Sequence, residues 1–167
     1  MKQMWAPWRS AYILGQEKRE DGCILCNRAT CPEKEHEERG VIYQSKHAYV
    51  MLNRYPYTGG HLMVVPNRHT ADLNELTRGE YVALNLLVRI ATTKLADAFH
   101  PQGFNIGMNL GRAAGAGIDE HLHMHIVPRW NGDTNFFPIM TDTRVIHQSL
   151  IDLYRTLAPL FADITVD

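Results

Sequence analysis

The stretch HLHMHIV, residues 121–127, has a histidine at every second position and apolar residues between them. Side chains of a β-strand alternate between its two faces, so His121, His123 and His125 would share one face and the apolar residues the other. Buried imidazole nitrogens require hydrogen-bond partners. Three imidazoles on one face are therefore more typical of a functional site than of a surface strand with chance histidines.

A three-histidine metal site is one interpretation of this strand, but its geometry is unfavourable. Residues four positions apart on a strand are separated by about 13 Å, whereas metal–nitrogen bonds are about 2 Å long. One ion would therefore not reach both His121 and His125. Nucleophilic catalysis suits the pattern better, because imidazole titrates near neutral pH and is available as a neutral nucleophile. A hydrogen bond from its other nitrogen to a backbone carbonyl would fix the tautomer.

Outward from this strand, the sequence predicts an α+β domain with a mainly antiparallel sheet of about five strands. Apolar runs bounded by turn residues predict the other four strands at residues 41–44, 47–52, 61–65 and 104–109. Thr77 and Glu80 form a capping-box pattern, which predicts a long helix ending near Phe99. A second amphipathic helix is indicated by apolar residues at Leu150, Leu153, Tyr154, Leu157 and Phe161.

The chain has 167 residues, of which 45% are hydrophobic and 21% charged, with a formal net charge of -1. We expect one domain with an N-terminal extension at 1–22, a core at 23–137 and a helical tail at 138–167. The near-neutral charge provides no basic field for nucleic acid or anionic membrane, and no apolar run reaches the roughly 18 residues of a membrane span. We therefore expect a cytoplasmic protein that binds neither nucleic acid nor membrane.

The histidine strand resembles the signature of the histidine triad family, His-apolar-His-apolar-His-apolar-apolar. A second segment agrees with it: in NRYPYTGGHLMVVP, residues 53–66, Asn53 lies eight residues before His61. That spacing is similar to the spacing between the family's ribose-binding asparagine and its fourth histidine. The segments MWAPWR, NLGRAAGAG and HLHMHIVPRWNGDTNF look most like the branch that contains bacterial diadenosine tetraphosphate phosphorylases.

The resemblance implies a domain, usually dimeric, that cleaves dinucleoside polyphosphates at the α-phosphorus. His123 would be the nucleophile, His125 would contact the α-phosphate and assist the leaving group, and His121 would complete the catalytic histidine group. The other substrate contacts that it implies are Asn53 on the ribose, Asn109 on the phosphates, a backbone amide at Gly117 or Ile118, and Val50 and Leu52 beside the adenine. Asn before Arg-Tyr-Pro is also ordinary turn chemistry.

Cys23 and Cys26 have the spacing of a zinc half-site. The resemblance implies that His61 and His121 complete a closed, structural Cys₂His₂ zinc site in some members. The alternative is a pair of reduced, buried cysteines that pack as small hydrophobic residues. The remaining histidines lack motif context and are expected at the surface; they are His36, His47, His69, His100 and His147.

We therefore expect nucleotidyl transfer from diadenosine tetraphosphate, resolved by inorganic phosphate to give ATP and ADP. No catalytic cofactor is required, although Mg²⁺ can accompany the polyphosphate. The alternatives are a hydrolase of dinucleoside polyphosphates or nucleoside phosphoramidates, a nucleotide-binding sensor with little turnover, and a zinc-dependent binding module. Phosphate as acceptor requires a second anion site, for which Arg9, Arg112 and Arg129 are candidates. The Trp5–Arg9 segment is more typical of a tail that docks on the domain or on a second subunit; alternatively Trp5 or Trp8, like Trp130, could stack on a base.

Overall fold

The computed structural model describes residues 20–133 and 148–166. The Trp5–Arg9 segment, for which base stacking and a phosphate contact were considered, lies outside the described residues. Within them, five strands form one antiparallel sheet in the order β1-β2-β3-β5-β4. The strands are β1 Val41–Gln44, β2 Ala48–Leu52, β3 Leu62–Pro66, β4 Gly103–Gly107 and β5 Met124–Arg129. The predicted α+β domain with a five-stranded antiparallel sheet is confirmed.

The bounds of the histidine strand differ from the prediction of 121–127. Strand β5 begins at Met124 and continues through Pro128 to Arg129. Residues 121–123 precede the ladder, and the Leu122 N–H donates to the Thr70 carbonyl at 2.7 Å. Proline has no N–H to contribute to a ladder, but the Pro128 carbonyl still accepts from Thr58 Oγ1 at 3.0 Å.

Four α-helices accompany the sheet in the part of the chain that the structure describes. They are α1 Ile24–Ala29, α2 His36–Arg39, α3 Arg78–Phe99 and α4 Leu150–Leu157. The capping box of α3 is confirmed, because Thr77 Oγ1 accepts from the Glu80 N–H and the Glu80 carboxylate accepts from the Thr77 N–H. The segment 27–40 contains the end of α1, the short helix α2 and the buried Cys31.

The sheet has an apolar layer on each face. On one face, α3 and α4 cover the side chains of Val50, Leu52 and Ile126. On the other face, Tyr49 and Met51 of β2 pack with Met63 and Val65 of β3 and with α1. His125 lies on this second face, because Met124 and Ile126 on either side of it belong to the first layer. Among the described residues, no helix is long and apolar enough to cross a membrane.

Candidate active site

The pairing of β3 with β5 separates the histidines into two groups. Antiparallel register places Met63 opposite His125 and Val64 opposite Met124. His121 therefore lies at the end of β3, where its Nε2 is 2.9 Å from the Pro66 carbonyl. His125 lies near the beginning of β3, where its Nδ1 is 3.0 Å from His61 Nε2. His123 stands between the two groups.

The protonation of His123 is fixed by the backbone. Its Nδ1 is 2.9 Å from the His121 carbonyl oxygen, and a carbonyl oxygen can only accept. Nδ1 therefore carries the proton, and Nε2 of the neutral ring presents its lone pair. The side chain is largely buried, with 6% of the residue exposed. This is the carbonyl hydrogen bond that the sequence analysis required for a nucleophilic histidine.

A second hydrogen-bonded chain fixes the proton of His125. The Tyr57 N–H donates to His61 Nδ1 at 3.1 Å, so the proton of a neutral His61 resides on Nε2. His61 Nε2–H then donates to His125 Nδ1 at 3.0 Å. The proton of a neutral His125 must in turn be on Nε2. His125 is therefore a hydrogen-bond donor from Nε2, whereas its neighbour His123 is an acceptor at the same atom.

Burial and neighbouring rings keep the imidazoles of His61 and His125 neutral. Burial, together with the nearby His125 and His123 rings, lowers the pKa of His61 to about 3. Burial and the nearby His123 lower the pKa of His125 to about 4. At neutral pH neither ring is protonated a second time, so the direction of the Tyr57–His61–His125 chain is maintained.

The other histidine, His121, joins the cysteine pair. Its Nδ1 lies 3.4 Å from Cys23 Sγ and 3.5 Å from Cys26 Sγ. His69, which follows β3, places its Nδ1 3.3 Å from Cys26 Sγ. The ligand atoms of these four residues all lie within 4.8 Å of one another. Burial and Cys23 raise the pKa of the Cys26 thiol to about 11, so a bound cation would be needed to deprotonate it at neutral pH.

This Cys₂His₂ group fits zinc. Tetrahedral zinc with Zn–S bonds of about 2.3 Å and Zn–N bonds of about 2.0 Å has S···N edges of about 3.5 Å, which matches the observed separations. The Pro66 carbonyl holds the proton of His121 on Nε2 and leaves Nδ1 to bind metal, as is common in zinc sites. Four protein ligands leave no open position, so zinc here would be structural, crosslinking α1 to the segments after β3 and before β5.

The prediction of His61 as a zinc ligand is wrong, and His69 occupies that place. The two residues flank β3, one before its first residue and one after its last, so they lie at opposite ends of the strand. His121 is at the His69 end and His61 at the His125 end. His69 is exposed, as expected, but its participation was missed. The sequence contained the information needed to predict it. Antiparallel pairing brings the start of one strand to the end of the other, so a histidine after β3 would lie near a histidine before β5.

The cysteine pair is held against the sheet by a buried hydrogen bond. The Tyr49 hydroxyl of β2 donates to the carbonyl of Leu25, between the two cysteines, at 2.7 Å. Both residues are fully buried, and burial raises the pKa of Tyr49. Removal of one partner would leave a buried polar group unsatisfied, typically at a cost of about 1–3 kcal/mol.

Only some of the predicted substrate-binding residues lie near the histidines. Asn53 adjoins the site, with its Nδ2 3.3 Å from His61 Nδ1 and its Oδ1 accepting from the Tyr55 N–H, so the turn-forming role is also present. The expectation that Val50 and Leu52 flank a base is wrong. Both are buried beneath α3, on the opposite face of the sheet from the histidines. Met51, the β2 residue between them, lies on the histidine face.

The remaining residues of the predicted phosphate site come from β4 and the loop after it. Asn109 follows β4 by two residues, and Gly107 at the end of β4 is opposite His125. Gly117 is exposed, while Ile118 packs against the apolar layer of the histidine face. A phosphate contact by Asn109, Gly117 or Ile118 remains a prediction.

The two described arginine candidates for a second anion site already have carboxylate partners. Arg112 Nε is 2.7 Å from Asp119, and the Arg112 side chain is 86% exposed. Arg129 is paired with Asp133 through two nitrogens, at 2.6 and 2.8 Å. Trp130 follows Arg129 and lines a separate polar cavity with Asn105 and Gln102.

Comparison with known proteins agrees with this geometry. The HIT domain family model matches residues 34–132. The AP-4-A phosphorylase of Mycobacterium tuberculosis is 39% identical over 166 residues, which covers 97% of this chain and 85% of the relative. The crystal structure of a Zn-bound histidine triad family protein from Mycobacterium smegmatis is 26% identical, with a TM-score of 0.66, and covers 84% of this chain and 94% of that protein. Plasmodium falciparum diadenosine triphosphate hydrolase shares the fold, at 23% identity, 74% coverage of both chains and a TM-score of 0.59.

The zinc site is tested by metal content. We expect about one zinc per chain in the wild-type protein, and loss of most of it in His69→Ala, because that change removes one of four ligands. His61→Ala is the matched control and should retain zinc, since His61 lies at the other end of β3. Inductively coupled plasma mass spectrometry measures the metal. Retention of zinc by His69→Ala with loss in His61→Ala would contradict this assignment.

Proposed function

This chain belongs to the HIT domain family, and we propose that within it the protein is a nucleotidyl-transferring enzyme that cleaves diadenosine tetraphosphate. The observation that carries the proposal is the opposite protonation of two adjacent rings. His123 presents a lone pair at Nε2, and His125 presents a proton at Nε2. Their ring centroids are 4.9 Å apart, in an edge-to-face arrangement. Such a pair suits attack on phosphorus with simultaneous assistance to the leaving oxygen.

In the first step, His123 Nε2 attacks the α-phosphorus of the dinucleotide. A P–N bond forms, the bond from the α-phosphorus to the bridging oxygen breaks, and the product that leaves is ATP. His125 Nε2–H donates to the departing oxygen, which would otherwise leave as a poorly solvated anion. The proton on His123 Nδ1 remains hydrogen-bonded to the His121 carbonyl oxygen. This hydrogen bond stabilises the positive ring that the attack creates.

The nucleophile is tested by substitution and by trapping. His123→Ala should reduce turnover to below about 1% of wild type, because no other ring presents a lone pair in that position. His125→Ala should reduce kcat by about 10²–10³-fold, the usual value of one electrostatic contact. Mass spectrometry after a quench in alkaline denaturant, in which the P–N bond survives, should find an AMP adduct on the His123 peptide of the wild-type enzyme.

His100→Ala, at the exposed C-terminal end of α3, is the control for loss of a histidine outside the site. Turnover by His123→Ala near the wild-type rate, or an adduct on a different peptide, would refute the assignment. Binding of the dinucleotide without either turnover or adduct would favour the nucleotide-binding sensor instead.

For the first nucleoside, we propose that Asn53 binds the ribose from its place beside His61. The apolar residue of β2 on this face is Met51, which makes it a better neighbour for the base than Val50 or Leu52. Asn109 and the amides of Gly117 and Ile118 are proposed to bind the phosphates. Mg²⁺ can accompany the polyphosphate, and the histidine chemistry itself uses no metal.

We propose inorganic phosphate as the acceptor of the second step. A phosphate oxygen attacks the α-phosphorus, the P–N bond breaks, and ADP is released. The support is similarity to the mycobacterial AP-4-A phosphorylase along almost the whole chain. Desolvation of a dianion requires donors. Because Arg112 and Arg129 are paired with carboxylates, the described residues offer two arrangements for phosphate: it replaces one of these carboxylates, or it binds backbone N–H groups of the loop after β4.

The acceptor is identified by its products. With diadenosine tetraphosphate and labelled phosphate, we expect equal amounts of ATP and ADP and label in ADP alone. Chromatography with radiometric detection distinguishes this from hydrolysis, which yields AMP and ATP at a rate independent of phosphate. AMP formation in saturating phosphate would make the protein a hydrolase and leave the role of His123 unchanged.

We also propose a cytoplasmic homodimer. Strand β4 is at the edge of the sheet, where its outer backbone groups have no strand partner among the described residues. Ile106 on this edge is 47% exposed, and Leu110 after it is 49% exposed. An edge of this kind is a template for pairing with a second chain. Reduced thiols at Cys23 and Cys26 suit a reducing compartment.

The dimer is tested by sedimentation equilibrium. Ile106→Lys should raise the dissociation constant of the dimer by at least about 10-fold, because it places a charge at the proposed contact. Ile151→Lys, on α4 and 51% exposed in the wild-type protein, is the matched control and should have no effect. A wild-type monomer at micromolar concentration would exclude the dimer.

A further inference from the structure

Tyr57 contacts the His61–His125 pair in two separate ways. Its backbone N–H donates to His61 Nδ1 at 3.1 Å. Its ring lies over both imidazoles, with centroids 4.9 Å from His61 and 6.0 Å from His125 and tilts of 34° and 36°. Tyr57 is 46% exposed, so one side of its ring faces solvent and the other faces the pair.

The loop between β2 and β3 is held so that these contacts are fixed. Near its beginning, Asn53 Oδ1 accepts from the Tyr55 N–H at 2.9 Å. Just after Tyr57, Thr58 Oγ1 donates to the Pro128 carbonyl of β5 at 3.0 Å. The Tyr57 N–H is therefore positioned before substrate binds, which is what a tautomer-determining contact requires.

The proton on His125 depends on this arrangement. If His61 carried its proton on Nδ1, two donors would face each other at the Tyr57 N–H, and His61 Nε2 could no longer donate to His125. Water can offer either a donor or an acceptor to a ring nitrogen, so water at this pair would allow both tautomers. A ring that excludes water also strengthens the hydrogen bond that remains.

We propose that Tyr57 is a positioning residue that keeps the proton of His125 on Nε2, through its backbone N–H and through the cover its ring gives to the His61–His125 hydrogen bond. The consequence for catalysis rests on the proposed function, in which His125 donates to the leaving oxygen. The effect on the tautomer does not rest on the proposed function, because the tautomer is a property of the free protein.

The test replaces the ring and reads the histidine nitrogens directly. In long-range ¹H–¹⁵N NMR spectra of the full chain, the wild-type protein should show a protonated Nε2 and an unprotonated Nδ1 for His125. Tyr57→Leu, which keeps the backbone N–H but removes the aromatic cover, should show intermediate shifts at both nitrogens. Tyr57→Phe should restore the wild-type pattern. Tyr55→Leu, in the same loop and 65% exposed in the wild-type protein, should leave the spectrum and the turnover unchanged.

The kinetic expectation is a fall in kcat of about 10-fold for Tyr57→Leu, a partial loss of the 10²–10⁴-fold that acid–base assistance usually contributes, with KM changed less than about 2-fold. Wild-type nitrogen shifts in folded Tyr57→Leu would overturn the inference. Mixed tautomers with an unchanged kcat would support the positioning by Tyr57 and would instead refute the donor role of His125 in the proposed function.

Discussion

The antiparallel pairing of β3 with β5 is the constraint on which the rest of this site depends. Its register sets Met63 opposite His125 and thereby decides which histidine meets which partner. His121 reaches the carbonyl of Pro66 at the end of β3, and His125 reaches His61 at its beginning. A slip of one residue would move the imidazoles to the face covered by α3, which is an apolar layer.

Backbone groups, more than side chains, determine the chemistry of the rings. The His121 carbonyl fixes the proton of His123, and the Tyr57 N–H fixes the proton of His61 and so of His125. Backbone donors and acceptors cannot exchange roles as water or a hydroxyl can. Two adjacent imidazoles of identical composition consequently present a lone pair and a proton, which is the difference between a nucleophile and a leaving-group donor.

The cysteine group and the His123–His125 pair are connected through one residue, His121. His121 directs Nδ1 to Cys23 and Cys26, and its backbone carbonyl to His123. The candidate zinc-binding residues therefore connect α1 to the segment that carries His123. The buried hydrogen bond from the Tyr49 hydroxyl to the Leu25 carbonyl also holds α1 against β2. The site is therefore fixed at the cysteine end of β3 as well as at the end that carries the Tyr57 loop.

The sequence by itself determined the five strands approximately, the two longer helices and the chemical character of the site. Alternation in HLHMHIV indicated one polar and one apolar face, and the Thr77–Glu80 pair located the start of α3. The resemblance of this segment to a family signature indicated His123 and His125 as catalytic candidates. Only the tertiary structure decided which residues meet. It replaced His61 by His69 beside the cysteines, and it placed Val50 and Leu52 under α3 instead of at the base. Local patterns specify a period and a face, whereas strand register and sheet order are set by packing between distant segments, which determines the partner of each side chain.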